Sequence, residues 1–360
     1  MKDTEINRLP VPTWNQCGVN YAPAAAALPA VSGDDWGEAD FAFTLPAGVG
    51  EAEEGFTVFP ESGMGPKADA FFVENATIRH ALTVAEGITV EQPALFEATL
   101  SPAHPNALTL LDIDVAAGSR LTVVQVVRGD AEDGVSGSLT RIRAAKGAQV
   151  KLVQVQLLGS HARRWNAVAI DTAEGAKVEQ VRVELGGSVS ACGTRALLPA
   201  SHTEYDLDAI YFGEGSSVLD FNDVSVHTGK DTLCEMHTAG VLTGHADKTL
   251  RGTIDFRRGA KRGVGHESED VLLFSPNARN RTTPLILCGE EEVEGQHAAS
   301  IGRLDEEKLY YLRSRGLTEA QARRLMVEAR FAPAIEKIPL DALREEVRAE
   351  AARRLDHAAE

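Results

Sequence analysis

The sequence predicts a mainly β protein built of stacked coils, a β-helix, with a helical tail. Three observations carry that expectation. Between about residue 70 and Leu287 no stretch reads as a helix of ordinary length. Valine-rich runs such as LTVVQVV (121–127), VKLVQVQLL (150–158) and VEQVRVEL (178–185) alternate or run apolar, as strands do. A small-charged-Gly corner or a close variant recurs before strand after strand: AEG at 85–87, AAG at 116–118, AKG at 145–147, AEG at 173–175 and GEG at 213–215. Gly87, Gly118, Gly147 and Gly175 lie 31, 29 and 28 residues apart, and Gly215 and Gly259 follow after 40 and 44. Repeated corners without intervening helices suit coils that bury apolar side chains against their neighbours. A β-sandwich fits the same spacing. The helical tail is read from the change to helical periodicity after Arg303.

The expected organisation has three parts: an arm over 1–70, a β-helix core over 71–302 and a helical domain over 303–360. In the arm, Pro10, Pro12, Pro23, Pro29, Pro46, Pro60 and Pro66 interrupt every candidate element. It reads as extended, with at most a short helix, and Trp14 and Trp36 are expected to pack on the body. In the tail, one helix is expected from Asp305 to Gly316, whose glycine suits a C′ position. Thr318 and Gln321 make a capping box for a second helix, with Ala322, Leu325, Met326 and Ala329 on its core face. Pro333 and Pro339 are expected to bound a linker. Pro339 suits the first turn of a third helix, striped by Leu340, Leu343, Val347, Ala351 and Leu355. Such short helices bury little alone and must lean on the β body or on another chain.

Composition narrows the function. A formal charge of -17 argues against nucleic acid and anionic membrane as partners. Cys17, Cys192, Cys234 and Cys288 are scattered without a CxxC pair, so neither a zinc ribbon nor a disulfide framework is readable. The N-terminus lacks an apolar signal core, and no run approaches the roughly 18 residues of a membrane span. A reduced, cytoplasmic setting is the expectation. No GxxxxGK[ST], GxSxG or HExxH motif occurs, so no ATPase, α/β-hydrolase or zincin site is expected.

The densest group of potential metal ligands falls at the junction of strands and tail. It runs through Cys288, Glu290, Glu291, Glu292 and Glu294 to His297, set among Gly295, Ala298, Ala299 and Ser300. Cys234 and His237 are three apart, which places them on opposite faces of a strand.

The stretch PLIL…EGQHAASIGRLDEEKLYYLRSRGLTEAQAR resembles the C-terminal signature of the SufB/SufD family of iron–sulfur cluster assembly proteins. HTAGVL (237–242), LRGTIDF (250–256) and VLLFSPNAR (271–279) are similar to the family's last β-helix coils, and NRLPVPTWNQCGVN to openings of short SufD-like members. The likeness runs from about residue 75 and is strongest over 237–331. Two departures are a shorter N-terminal region and the segment GVGHESED (263–270).

The resemblance implies a right-handed parallel β-helix of SufBD type with a C-terminal helical domain. It implies a non-catalytic scaffold that pairs with a SufB-like subunit and binds the SufC ATPase, which supplies the ATP hydrolysis. No cofactor is expected to be held tightly, only a transient cluster or iron at the SufB–SufD boundary. The histidine in EGQHAAS makes the chain more SufD-like than SufB-like, and His297 becomes the candidate iron ligand. Imidazole suits Fe²⁺, as do carboxylate and thiolate, so Cys288, Glu292 and Glu294 are weaker candidates. Plainer readings stand beside these. A histidine can bond a backbone carbonyl, acidic residues can blunt an edge strand, and a strand-ending cysteine can be a small hydrophobe. For SufC docking the resemblance points to Tyr310, Tyr311, Arg315, Leu325, Arg330 and Phe331. The alternatives are a β-helix carbohydrate-active enzyme and a SufB-like homodimer that builds a cluster alone.

Overall fold

The computed structural model describes residues 5–30, 39–303 and 306–357. Its body is a parallel β-solenoid of about 8 turns. Two nine-stranded sheets enclose a shared core, and from Ile78 onward consecutive strands alternate between them. Thus Arg120–Gly129 lies in one sheet, Val135–Ala144 in the other, and Gln149–Leu158 returns to the first. Each strand pairs in register with the strand one coil on. One lumen-side column therefore runs Val123, Leu152, Gln180, Leu207, Met236, Glu267, His297. Neighbours in such a column sit about 4.8 Å apart, the strand spacing. The column is mostly apolar through Met236 and ionisable at its last two positions.

The corners explain the glycine repeat. Gly87, Gly118, Gly147 and Gly175 have positive φ, which glycine adopts without steric cost. Their N–H groups bond along the stack, Gly118 to Lys146 O (2.9 Å) and Gly147 to Glu174 O (2.9 Å). The ladder then continues through non-glycine residues. His202, Asp231 and Arg262 occupy the same left-handed conformation (φ 60, 54 and 59) and donate to Lys230, Lys261 and Glu292 carbonyls. The spacing of 40 before Gly215 is therefore not a longer coil. Gly215 stands on the opposite turn ladder, where Gly244 stacks on it and His245 N–H donates to Gly215 O.

The two ends of the solenoid differ. At the N-terminal end, Asp40–Thr44 pairs antiparallel with Ala94–Leu100, and Val49–Glu51 pairs antiparallel with Ile78–Val84. These two antiparallel strands, one on each sheet, cover the first coil, with the Phe41 ring stacked on His80 and tilted beside Phe96. At the C-terminal end, Arg279–Cys288 and Val293–Arg303 are the last strands of their sheets, each with one neighbour only. Among the described residues no strand pairs with their outer edges.

The parallel coils begin at Ile78 rather than near residue 70, and the arm before them already carries the two antiparallel strands. Before it lies helix α1 (Pro66–Asn75), which opens on Pro66 and buries Ala68 and Phe72. Trp14 does not pack on the body; it is 76% exposed. The arm is held elsewhere, by Asn7 and by Trp165, whose Nε1 donates to Ala26 O (3.0 Å). Trp36 and Asp305 lie outside the described residues.

The tail forms α2 (Glu306–Ser314), α3 (Glu319–Glu336) and α4 (Asp341–His357). The capping box closes in both directions, Gln321 N to Thr318 Oγ1 (3.2 Å) and Thr318 N to Gln321 Oε1 (2.9 Å). Pro333 does not start a linker; it lies inside α3. The turn that follows buries Ala334 and Ile335, and that packing offsets the hydrogen bond a proline cannot make. Pro339 falls just before α4 rather than in its first turn. Leu343, Val347, Ala351 and Leu355 join α3 on the outer face of one sheet, against Val153, Val181 and Ile210. Lys337 bonds Asp208 (2.5 Å), and Arg128 clasps Glu346 (2.7 and 2.9 Å). The tail thus leans on its own β body.

His227 is fully buried in the late coils, between Thr232 Oγ1 (2.8 Å) and Ser225 Oγ (3.3 Å). Burial pushes its pKa down to about 4. The unfolded chain, titrating near pH 6.5, takes up the proton first. The contribution is whole above about pH 6.5 and is lost as pH falls toward 4, about 3 kcal/mol across that window. His227→Gln should flatten this part of the stability profile, read as urea midpoints at intervals from pH 4 to 7.

Candidate functional site at the open end

The exposed strand Val293–Arg303 continues the pattern of its covered neighbour Gly263–Leu273. Gly295, His297, Ala299 and Ile301 extend the lumen-side rows of Gly265, Glu267, Glu269 and Val271. A Cβ added to Gly295 would touch Ile286 and Phe256, which confirms that this row faces inward. His297 is exposed because no further coil lies above it. On the facing strand Cys288, also exposed, extends the row of Phe256.

The acidic run forms the turn between the two last strands and is tied down locally. Glu290 accepts Gly259 N–H (3.0 Å), and that bond holds its carboxyl below the usual range. Glu292 pairs with Lys261 at 3.5 Å. Glu294 takes the outer face, 3.5 Å from His266 Nε2, and accepts from Gln296 Nε2 (2.8 Å). Glu294 and His297 therefore stand on opposite faces of one strand. His237, likewise on the outer face, bonds Ser268 Oγ (2.9 Å), whereas Cys234 is buried in the lumen. Among the described residues no three His, Cys, Asp or Glu side chains converge to hold a metal.

Beneath the exposed row lies a charged layer that sequence reading missed. Lys248, Glu267 and Glu269 come from facing strands and are buried. Lys248 pairs with Glu269 and donates to Thr282 Oγ1 (3.3 Å). Glu267 is in register with His297 and 7% exposed, and its Oε2 has no partner. Burial, reinforced by Asp223 and Glu269, pushes its pKa up to about 8. The available signal was the segment GVGHESED, one of the two departures from the SufB/SufD resemblance.

The tail residues divide. Tyr310 and Tyr311 are 76% and 57% exposed, and the Arg315 guanidinium lies over the Tyr311 ring at 5.2 Å. Leu325 is exposed, while Arg330 bends back to Met326 O (3.1 Å). Phe331 is not a surface residue. It is 1% exposed and packs between α3, α4 and the sheet, so its apolar area is already used within the chain.

The fold and the site define a parallel β-solenoid with one end covered by antiparallel strands, one end with free strand edges, and a helical appendage. Residues 103–330 match the family described as SUF system FeS cluster assembly, SufBD core domain. The chain belongs to that family. It is 30% identical over 142 residues to the iron–sulfur cluster assembly protein SufD of Bacillus subtilis, covering 39% of this chain and 32% of that one. It is 30% identical over 173 residues to a SufBD family protein of Mycobacterium bovis, covering 46% and 44%. Over 82 residues it is 43% identical to a SufBD family protein of Pyrococcus horikoshii, covering 23% and 18%. The matched region spans less than half the length of each of these relatives. Among the described residues no helix is long and apolar enough to cross a membrane.

Proposed function

We propose that this chain is a SufD-like scaffold subunit that pairs through its open end with a SufB-like subunit in the cytoplasm. The observation that carries the reading is the asymmetry of the solenoid. One end is covered by two antiparallel strands, one on each sheet, and the other presents two strands with free edges and His297 on the exposed row. An uncovered edge is a row of unpaired N–H and C=O groups, which proteins normally cover, twist or charge. Here the edge is long, and Gly295, Ala298, Ala299 and Ser300 keep the middle of its last strand small, which favours another sheet as the cover.

The helical tail docks the ATPase SufC, using the exposed Tyr310, Tyr311 and Leu325. Nucleotide-driven dimerisation of two SufC copies pulls on the two tails. Because α3 and α4 are fixed to the sheet by Lys337 and Arg128, that pull reaches the solenoid. Coupling requires that nucleotide-bound SufC favour one arrangement of the pair. His297 then offers iron or a nascent cluster, the cargo of the assembly, one imidazole ligand. The scaffold itself catalyses nothing.

Co-expression with SufB-like and SufC-like neighbours tests the reading; failure to co-purify with either contradicts it. His297→Ala should leave the complex intact and lower the yield of cluster, read by thiolate-to-iron absorption after anaerobic reconstitution. An unchanged yield would remove His297 from the site.

A further inference from the structure

We infer that Glu267 is the second ligand, beside His297, that this chain contributes to a divalent-cation position at the open end of the solenoid. The inference rests on the proposed role of that end. Three acidic side chains are buried close together in the late lumen, and two have cations. Asp223 is clasped by Arg182 (2.7 and 2.7 Å), and Glu269 is paired with Lys248. Glu267 has neither a hydrogen bond nor an ion pair among the described residues, and its Oε2 is buried without a partner. A buried carboxyl oxygen without a partner is disfavoured unless a donor or a cation meets it.

The space around it is built for the carboxylate. Gly252 stands opposite, and a methyl group there would overlap both carboxylate oxygens. The neighbouring cation, Lys248, is already engaged by Glu269 and Thr282. The next layer along the same column holds His297, about one strand spacing away. Imidazole nitrogen with carboxylate oxygen is a donor pair that suits Fe²⁺, Mn²⁺ and similar cations. Two ligands make a half-site, with the rest left to water and a second subunit.

The test is Mn²⁺ titration of the full-length chain, followed by electron paramagnetic resonance of the free ion. Wild type should bind one Mn²⁺. Glu267→Gln and Glu267→Asp should each weaken binding by about tenfold or more, as should His297→Ala. Glutamine keeps the shape of the side chain and aspartate keeps its charge, so one misfolded variant leaves the other to decide. If both Glu267 variants bind like wild type while His297→Ala does not, the assignment of Glu267 falls and the role of the open end stands. If none of the three alters binding, or wild type binds no Mn²⁺, both fall.

Discussion

Arg251→Met should lower the stability of the folded chain by about 3–5 kcal/mol, the range for breaking one side of a buried ion pair. Arg251 is fully buried, and its guanidinium meets the Asp220 carboxylate at 2.8 and 3.0 Å. It also donates to Val19 O (2.5 Å) and Tyr21 O (2.8 Å). Asp220 in turn accepts from Asn7 Nδ2 (2.7 Å). One side chain thus joins the N-terminal arm to the strand Asp247–Phe256, the neighbour of the bare strand Arg279–Cys288. Methionine fills similar volume but leaves a buried carboxylate without its cation and two carbonyls without donors. Urea denaturation should show a lower midpoint. Changing Asp220 to leucine in the same chain should recover part of the loss, because no lone charge then remains. A loss below about 1 kcal/mol for Arg251→Met would mean that the arm is held by something else.

Ala299→Lys should abolish pairing through the open end while leaving the chain folded. Ala299 lies on the exposed lumen-side row, next to Glu269 in the layer below. In the isolated chain a lysine there extends into water. Once a second subunit covers the strand, the ammonium must be desolvated inside a sheet contact, the device by which natural edge strands refuse partners. A penalty of about 3 kcal/mol or more corresponds to a Kd raised at least a hundredfold. Pull-down and size-exclusion chromatography would read the effect, with circular dichroism as the check on folding. Undiminished pairing would place the contact elsewhere on the molecule.

The parts legible in the sequence were those set by local chemistry. The capping box at Thr318 needs only residues three apart, and both of its bonds form as expected. Valine-rich runs marked the strands, and Gly87 to Gly175 marked one turn ladder. The periodicity then broke because left-handed backbone is not glycine's alone. Asp231 and His202 are among the residues that tolerate it, and Arg262 is held there with its side chain clasped to Asp231 (2.5 and 2.7 Å). Pro333 misled for the opposite reason: a local stop signal was overridden by burial of the turn that follows it.

The candidate site was half legible. His297 drew notice through its motif, and its exposed place at the bare end follows from the last strand having no later coil. Glu267 was hidden by the geometry of a polar lumen. Alternation separates core from solvent only when one face is apolar. Along Gly263–Leu273 the outward His266, Ser268 and Asp270 and the inward Glu267 and Glu269 are all polar, so the period gives no direction. The buried partners Lys248 and Glu269 come from different strands, 21 residues apart, and only the fold brings them together.

Amide hydrogen exchange across 279–303 reaches the central claim most directly. In the chain alone, the outward-facing amides of the two bare strands should exchange rapidly, while those of Leu250 and Val271, in covered strands, stay protected. After co-purification with a SufB-like subunit, 279–303 should become protected, with no comparable change over the N-terminal antiparallel strands at 40–51. Exchange over 279–303 that is unaltered in the presence of that subunit would contradict the account.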